Sequence, residues 1–177
     1  KLTDVTELAS KTDFKVFTEA CTSGGTVKAM RVPGGAEKLT RKMTDGFAEI
    51  AKTYGAGGLP VVKYQGGEFA TGVAKFVEPI KDELVEALGL EDGDIVLFGV
   101  GSYRVACTSL GEVRLAVAKE LDLIPEGLFR GLWVIDFPMF DWNEDAQRWV
   151  SEHHPFTAPL ASHLDILESD PRNCLSS

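Results

Sequence analysis

Glycine-rich breaks at Gly24-Gly25, Gly34-Gly35, Gly55 to Gly58, Gly66-Gly67, Gly89 and Gly99 to Gly101 divide this chain into short elements. The order of those elements limits the fold most. Phe14 to Phe17 and Thr26 to Val32 are rich in β-formers and flank Thr22-Ser23-Gly24-Gly25, which predicts two strands joined as a hairpin. After Pro33-Gly34-Gly35, Thr40 can cap a helix that places Met43, Phe47, Ile50, Ala51 and Tyr54 on one face, with Gly55 ending it. Leu59 to Tyr64 and Phe69 to Phe76 read as a second strand pair around Gln65-Gly66-Gly67-Glu68. Pro79 then starts a helix with Ile80, Leu84 and Leu88 inward, and Gly89 stops it. A short buried strand, Asp94 to Phe98, leads to a helix from Ser102, its cap, to Leu121, with Val105, Leu110, Val113, Val117 and Leu121 inward. Strand-strand-helix twice over predicts an α+β fold of two layers, an antiparallel sheet with helices on one face.

Ile124-Pro125-Glu126-Gly127 is the expected boundary, since proline and glycine punctuate it and the composition then turns aromatic. Two domains follow, 1–124 and 125–177. In the second, Leu132 to Phe137 reads as an apolar strand, Trp142 to Asp145 as a polar turn and Arg148 to Glu152 as an antiparallel return, with mostly loop after Pro155. The residues after Leu164 read as an element cut short. At 177 residues the chain can bury a core without disulfides, and Cys21, Cys107 and Cys174 suit reduced thiols. The N-terminus reads as neither a signal nor a transit peptide, and no apolar run approaches the roughly 20 residues of a membrane span, so a cytoplasmic, membrane-free setting is expected. A formal charge of −9 excludes indiscriminate polyanion binding. Any RNA contact must be local; Lys38, Arg41 and Lys42 form the best basic cluster, reading first as a solvated helix face.

Of the glycine-rich spots, only Gly99-Val100-Gly101 has strand-to-helix context for holding a phosphate. Arg104 stands where a dinucleotide fingerprint has its third glycine, so a tight turn is the better reading. His153, His154, His163 and Cys174 lack zinc-ligand spacing, and no metal site is expected. Asp136, inside an apolar strand, would need a partner or a shifted pKa, and reads as a satisfied sheet-end residue. Glu144 and Asp145 are the neighbouring carboxylates. No nucleophile has a companion base, so no catalytic residue is assigned. In His153-His154-Pro155-Phe156-Thr157-Ala158-Pro159, the imidazoles can donate to an anionic ligand while the prolines stiffen the loop.

The run Leu128-Phe129-Arg130-Gly131-Leu132-Trp133-Val134-Ile135-Asp136-Phe137-Pro138-Met139-Phe140-Asp141-Trp142, followed by His153 to Pro159, resembles a segment of bacterial-type aspartyl-tRNA synthetases. Upstream, Phe14-Lys15-Val16-Phe17, Ala29 to Gly35, Tyr54 to Leu59 and Ala74-Lys75-Phe76 resemble the GAD domain inserted in those enzymes. The resemblance implies that 1–124 is the GAD insertion and 125–177 part of the class II antiparallel catalytic core, with strand Leu132 to Phe137 in the core sheet. It implies a parent that activates L-aspartate with ATP and Mg and transfers it to tRNA(Asp), as a homodimer. His153, with His154 beside it, is implied to bind the aspartate. The three class II motifs are absent from the sequence, so the chain reads as a fragment, inactive alone, monomeric and without a cofactor of its own. The alternative is a non-catalytic module binding tRNA or a protein.

Overall fold

The computed structural model describes residues 1–143, 145–152 and 157–176. The chain divides into two compact units, Lys1–Glu126 and Gly127–Ser177.

The first unit runs β1 (Thr3–Asp4), α1 (Thr6–Ala9), α2 (Lys15–Thr22), β2 (Thr26–Val32), α3 (Gly35–Lys38), α4 (Arg41–Thr53), β3 (Val61–Gln65) and β4 (Glu68–Ala70). It continues with α5 (Ala74–Val77), α6 (Lys81–Leu88), β5 (Asp94–Gly101) and α7 (Tyr103–Glu120). The five strands form one antiparallel sheet in the order β1-β2-β5-β3-β4. Central β5 is apolar on both faces, and so nearly continuously buried, because it is covered from both sides. Val96, Phe98 and Val100 join Val27 and Ala29 of β2 on one face, packed with Val5, Phe17, Val77, Ile80 and Leu84. Ile95 and Leu97 join Met30 and Val32 on the other, against Leu39, Phe47, Ala51, Leu110, Val113 and Val117.

The α+β class with an antiparallel sheet thus holds, but the expectation of helices on one face does not. Helices α1, α2, α5 and α6 cover one face and α4 and α7 the other, because β2 and β5 carry apolar residues at both parities. The expected hairpin of Phe14–Phe17 with Thr26–Val32 is also corrected, since Lys15–Thr22 is helical. Phe14, Phe17 and Cys21 recur at helical spacing, a pattern invisible in the four-residue window that suggested a strand. Phe17 is buried with its ring 5.2 Å from Phe98 and 4.9 Å from Phe14. The predicted strand Phe69–Phe76 stops at Ala70, and Ala74–Val77 is a helical turn. Here Gly72, at φ +54°, sits so close to the Val61 carbonyl that a Cβ would fall 1.8 Å from its oxygen.

The remaining helices follow the sequence pattern. Thr40 Oγ1 accepts the Met43 N–H to cap α4, and Ser102 Oγ accepts that of Val105 to cap α7. Gly89 closes α6 in the left-handed conformation.

In the second unit, β6 (Phe137–Pro138) pairs with β9 (Leu175–Ser176), and β7 (Phe140–Asn143) with β8 (Arg148–Ser151). The Trp142 and Trp149 rings meet edge-on across the β7–β8 hairpin at 5.4 Å, and Asn143 Oδ1 accepts the Ala146 N–H in its turn. The expected strand Leu132–Phe137 is absent apart from its last residue. Among the described residues nothing pairs with 132–136, and Trp133 is 94% exposed. A strand needs an edge to bond to, which apolar composition alone cannot supply. Trp142 and Asn143, expected in a turn, are strand, and the return pairs with Phe140–Asn143 instead. Residues 161–166 and 171–173 are 3-10 turns.

Candidate functional site

The site residues that the sequence favoured, His153 and His154, lie outside the described residues, as do Pro155, Phe156 and Glu144. Asp136 is exposed, at a turn with φ 54°, so it is not the carboxylate in a buried strand that the sequence suggested. His163 Nδ1 accepts the Leu175 N–H at 3.1 Å, and Cys174 is buried. Among the described residues no three His, Cys, Asp or Glu side chains are grouped to hold a metal, and no helix is long and apolar enough to cross a membrane.

Gly99-Val100-Gly101, expected as a strand-to-helix turn, is the paired end of β5, and the space beside it is filled by the protein itself. A Cβ at Gly99 would lie 2.5 Å from the Ala106 carbonyl oxygen, and one at Gly25 would lie 2.7 Å from that of Gly101. These glycines let α7 and the end of α2 approach the sheet closely. One of the N–H groups in the first turn of α7, that of Val105, is already bonded to Ser102 Oγ.

Polar chemistry in the first unit concentrates at three places. Asp94, buried at the start of β5, accepts the Gly34 N–H on Oδ1 and the Glu91 N–H on Oδ2, both at 2.9 Å. Arg31 Nε approaches the same Oδ2 at 2.5 Å, as an ion pair whose angle leaves Nε without a directed acceptor. The rest of the guanidinium reaches Glu91 Oε2 at 3.1 Å and donates to the Gly89 carbonyl. This network ties the Pro33-Gly34-Gly35 turn and the loop after α6 to the sheet. It is architecture.

A second cluster forms where β1 meets β2. Partial desolvation opposes ionisation of Asp4, but hydrogen bonds from the Lys28 ammonium and from Thr6 win and hold its carboxyl at about 2. Lys28 is raised in turn, against its own desolvation, by Asp4 at 2.8 Å, and its ammonium also lies over the Tyr103 ring. Burial pushes the nearby Cys21 thiol up, which makes it a poor nucleophile.

The third place is a set of open clefts. One of about 560 Å³ lies between α4 and the β3–β4 end of the sheet, with Leu59, Pro60 and Val61 along its floor and Arg41, Thr44 and Lys63 among its polar groups. Arg41, Thr44, Asp45 and Ala48 fall on one helical face of α4 and form one wall. Lys63 is half-buried and its ammonium donates to the Ala36 carbonyl. A second cleft, by Asp4, Glu7, Lys11 and Glu83, is dominated by carboxylates, and a third, by Phe14, Val16 and Gly57 to Pro60, is apolar. Sequence reasoning picked out Arg41 in its basic cluster but missed Lys63, since a lone lysine in a strand has no sequence signature.

A five-stranded antiparallel sheet enclosed by helices on both faces defines the first unit as an α+β domain. Residues 17–110, more than half of the chain, match the family model described as GAD domain, and the chain belongs to that family. Over nearly its whole length it is also similar to aspartate–tRNA ligases. It is 47% identical to that of Streptococcus agalactiae over 96% of this chain and 28% of the relative. It is 44% identical to that of Halalkalibacterium halodurans over 97% of this chain and 29% of the relative. The aspartate–tRNA(Asp/Asn) ligase of Nitratidesulfovibrio vulgaris is 46% identical over 97% of this chain and 27% of its own length. The chain therefore spans under a third of the length of the curated relatives it matches.

Proposed function

We propose that this chain is part of an aspartate–tRNA ligase, in which residues 1–124 form the GAD insertion and 125–177 belong to a class II catalytic core. The observation that carries this reading is identity of 44–47% to enzymes of that name over 96–97% of the chain. The whole enzyme, a cytoplasmic homodimer, uses ATP with Mg to activate L-aspartate and passes the aspartyl group to tRNA(Asp). The chain carries no catalytic residue and no cofactor of its own, and alone it is inactive, because catalysis requires positioning and charge-stabilising groups supplied elsewhere.

His153, with His154 beside it, binds the aspartate substrate by donating imidazole hydrogen bonds to a carboxylate. Losing one hydrogen bond to a charged group costs about 1.5–3 kcal/mol, so His153→Ala in the whole enzyme should raise the aspartate KM about 10- to 100-fold while leaving the ATP KM unchanged. Aspartate-dependent pyrophosphate exchange measures both. Unaltered aspartate KM and kcat would remove His153 from the pocket.

A second reading is favoured by the cationic cleft beside α4: the first unit is a binding module that contacts tRNA without chemistry. Titrating the chain with tRNA at several salt concentrations tests it, since phosphate contacts weaken as counterions compete. No binding at low salt would end that reading.

A further inference from the structure

We propose that the cleft between α4 and the β3–β4 end of the sheet is where the first unit holds the sugar–phosphate backbone of RNA, an assignment that rests on the reading of that unit as a tRNA-binding module. The first argument is charge pairing. The chain has 27 acidic side chains to 18 Lys and Arg, and among the described residues the cations differ in whether a carboxylate lies close. Lys11, Lys28, Lys52 and Lys81 each have one within 2.5–2.9 Å, Lys15 has one at 3.4 Å, and Arg31 has two. Among the described residues, Lys38, Lys42 and Lys63 have none within 4.0 Å, and Arg41 reaches Asp45 only at 3.9 Å with both side chains open to solvent. Lys1, Lys75, Arg114 and Lys119 of the first unit also have no carboxylate within 4.0 Å, but they are exposed and line none of the three clefts. Of the three clefts, this is therefore the one lined by cations without a close carboxylate, Arg41 and Lys63, while Lys38 and Lys42 adjoin its lining residues Leu39 and Arg41 in sequence.

The second argument is geometry. Lys63 is half-buried and anchored on the Ala36 carbonyl, so its ammonium is held in place before a ligand arrives, which lowers the ordering cost of binding. A backbone carbonyl satisfies one of its three donors and none of its charge. About 560 Å³ is far more room than a single phosphate fills, and it falls in the range of pockets for larger organic ligands. Apolar Pro60 and Val61 beside Arg41 and Lys63 suit the alternation of ribose and phosphate along a strand. Glu37 and Asp45 nearby weaken the potential, so the contact should be modest and salt-sensitive.

The test uses the 177-residue chain, a labelled tRNA transcript and fluorescence anisotropy between about 50 and 200 mM salt. R41Q/K63Q should bind about tenfold more weakly, with the salt slope reduced by about 1.5, while keeping the wild-type helical circular dichroism. K15Q/K52Q, which removes the same charge elsewhere, should bind like wild type. If wild type binds and R41Q/K63Q binds equally well, the cleft assignment is overturned while the tRNA reading stands. If wild type does not bind even at the lowest salt, both fail. Equal weakening by K15Q/K52Q, or displacement of tRNA by polyglutamate as readily as by unlabelled tRNA, would also overturn it, in favour of diffuse charge or an acidic protein.

Discussion

Replacing Asp94 by asparagine changes almost no volume and removes one charge from the most constrained polar position in the first unit. The carboxylate accepts two backbone N–H groups at 2.9 Å and pairs with Arg31 at 2.5 Å, with 1% of the residue exposed. An asparagine can present only one oxygen, so its amide nitrogen must face either the Gly34 N–H or both the Glu91 N–H and the Arg31 guanidinium, donor against donor. Stranding one member of a buried ion pair costs about 3–5 kcal/mol. Arg31 is 24% exposed and keeps Glu91 at 3.1 Å, which reduces the stranded-charge part. Adding a lost backbone acceptor at about 1 kcal/mol gives an expected destabilisation of about 2–4 kcal/mol. Arg31→Met should cost less, about 1–2 kcal/mol, because the carboxylate retains both backbone donors. The double variant should fall short of the sum by at least about 1 kcal/mol, since the two residues share one interaction. Urea unfolding followed by far-ultraviolet circular dichroism reports the first unit, which holds every α-helix among the described residues; fluorescence reports the second, which holds all three tryptophans. A cost below about 0.5 kcal/mol for Asp94→Asn, or strict additivity, would refute the reasoning.

Gly72→Ala should destabilise by about 3 kcal/mol or more, because φ is +54° and the new Cβ would meet the Val61 carbonyl, whereas Gly57→Ala, with nothing within 4 Å, should be neutral or gain up to about 1 kcal/mol; urea midpoints compare them. Asp4→Asn tests the tie between β1 and β2. Because the folded carboxyl sits at about 2, below its ordinary 3.8, the stabilisation is complete above the ordinary value and lost as pH falls towards 2. Asp4 is largely exposed, so screening discounts the effect to about 0.5–1 kcal/mol at neutral pH, and wild type and variant should converge in acid melts near pH 2.

Where sequence reasoning worked, the signal was local and strong. Thr40 and Ser102 cap their helices because a hydroxyl before an amphipathic run has one good use, and Gly89 stops its helix because no other residue adopts that backbone cheaply. Where it failed, the deciding fact lay elsewhere in the chain. The helix around Phe17 sets that ring against Phe98 of β5, a contact that no local window includes. The second helical layer is the exception, because the continuous apolar run of β5 is itself the mark of cover on both faces, whereas a strand covered on one side alternates. Lys63 joined Arg41 only through the approach of β3 to α4, which no linear spacing encodes.

The second unit shows the same limit in sharper form. Leu132 to Ile135 has the composition of a core strand, yet Leu132 is 78% and Ile135 74% exposed, with no described strand beside them. Hydrophobic composition records a demand for burial, and burial requires a partner surface; at about 25 cal/mol per Å² the demand is substantial but does not say where the partner comes from. The first unit meets this demand internally, enclosing Val96 and Leu97 between two helical layers. The described part of the second unit does not. Polar substitution therefore separates the two cases: Leu97→Ser should unfold the first unit by removing buried apolar contacts, while Trp133→Ser, at an exposed position, should leave the stability of the isolated chain within about 0.5 kcal/mol of wild type. A large loss at Trp133 would mean that the exposed run is packed in solution.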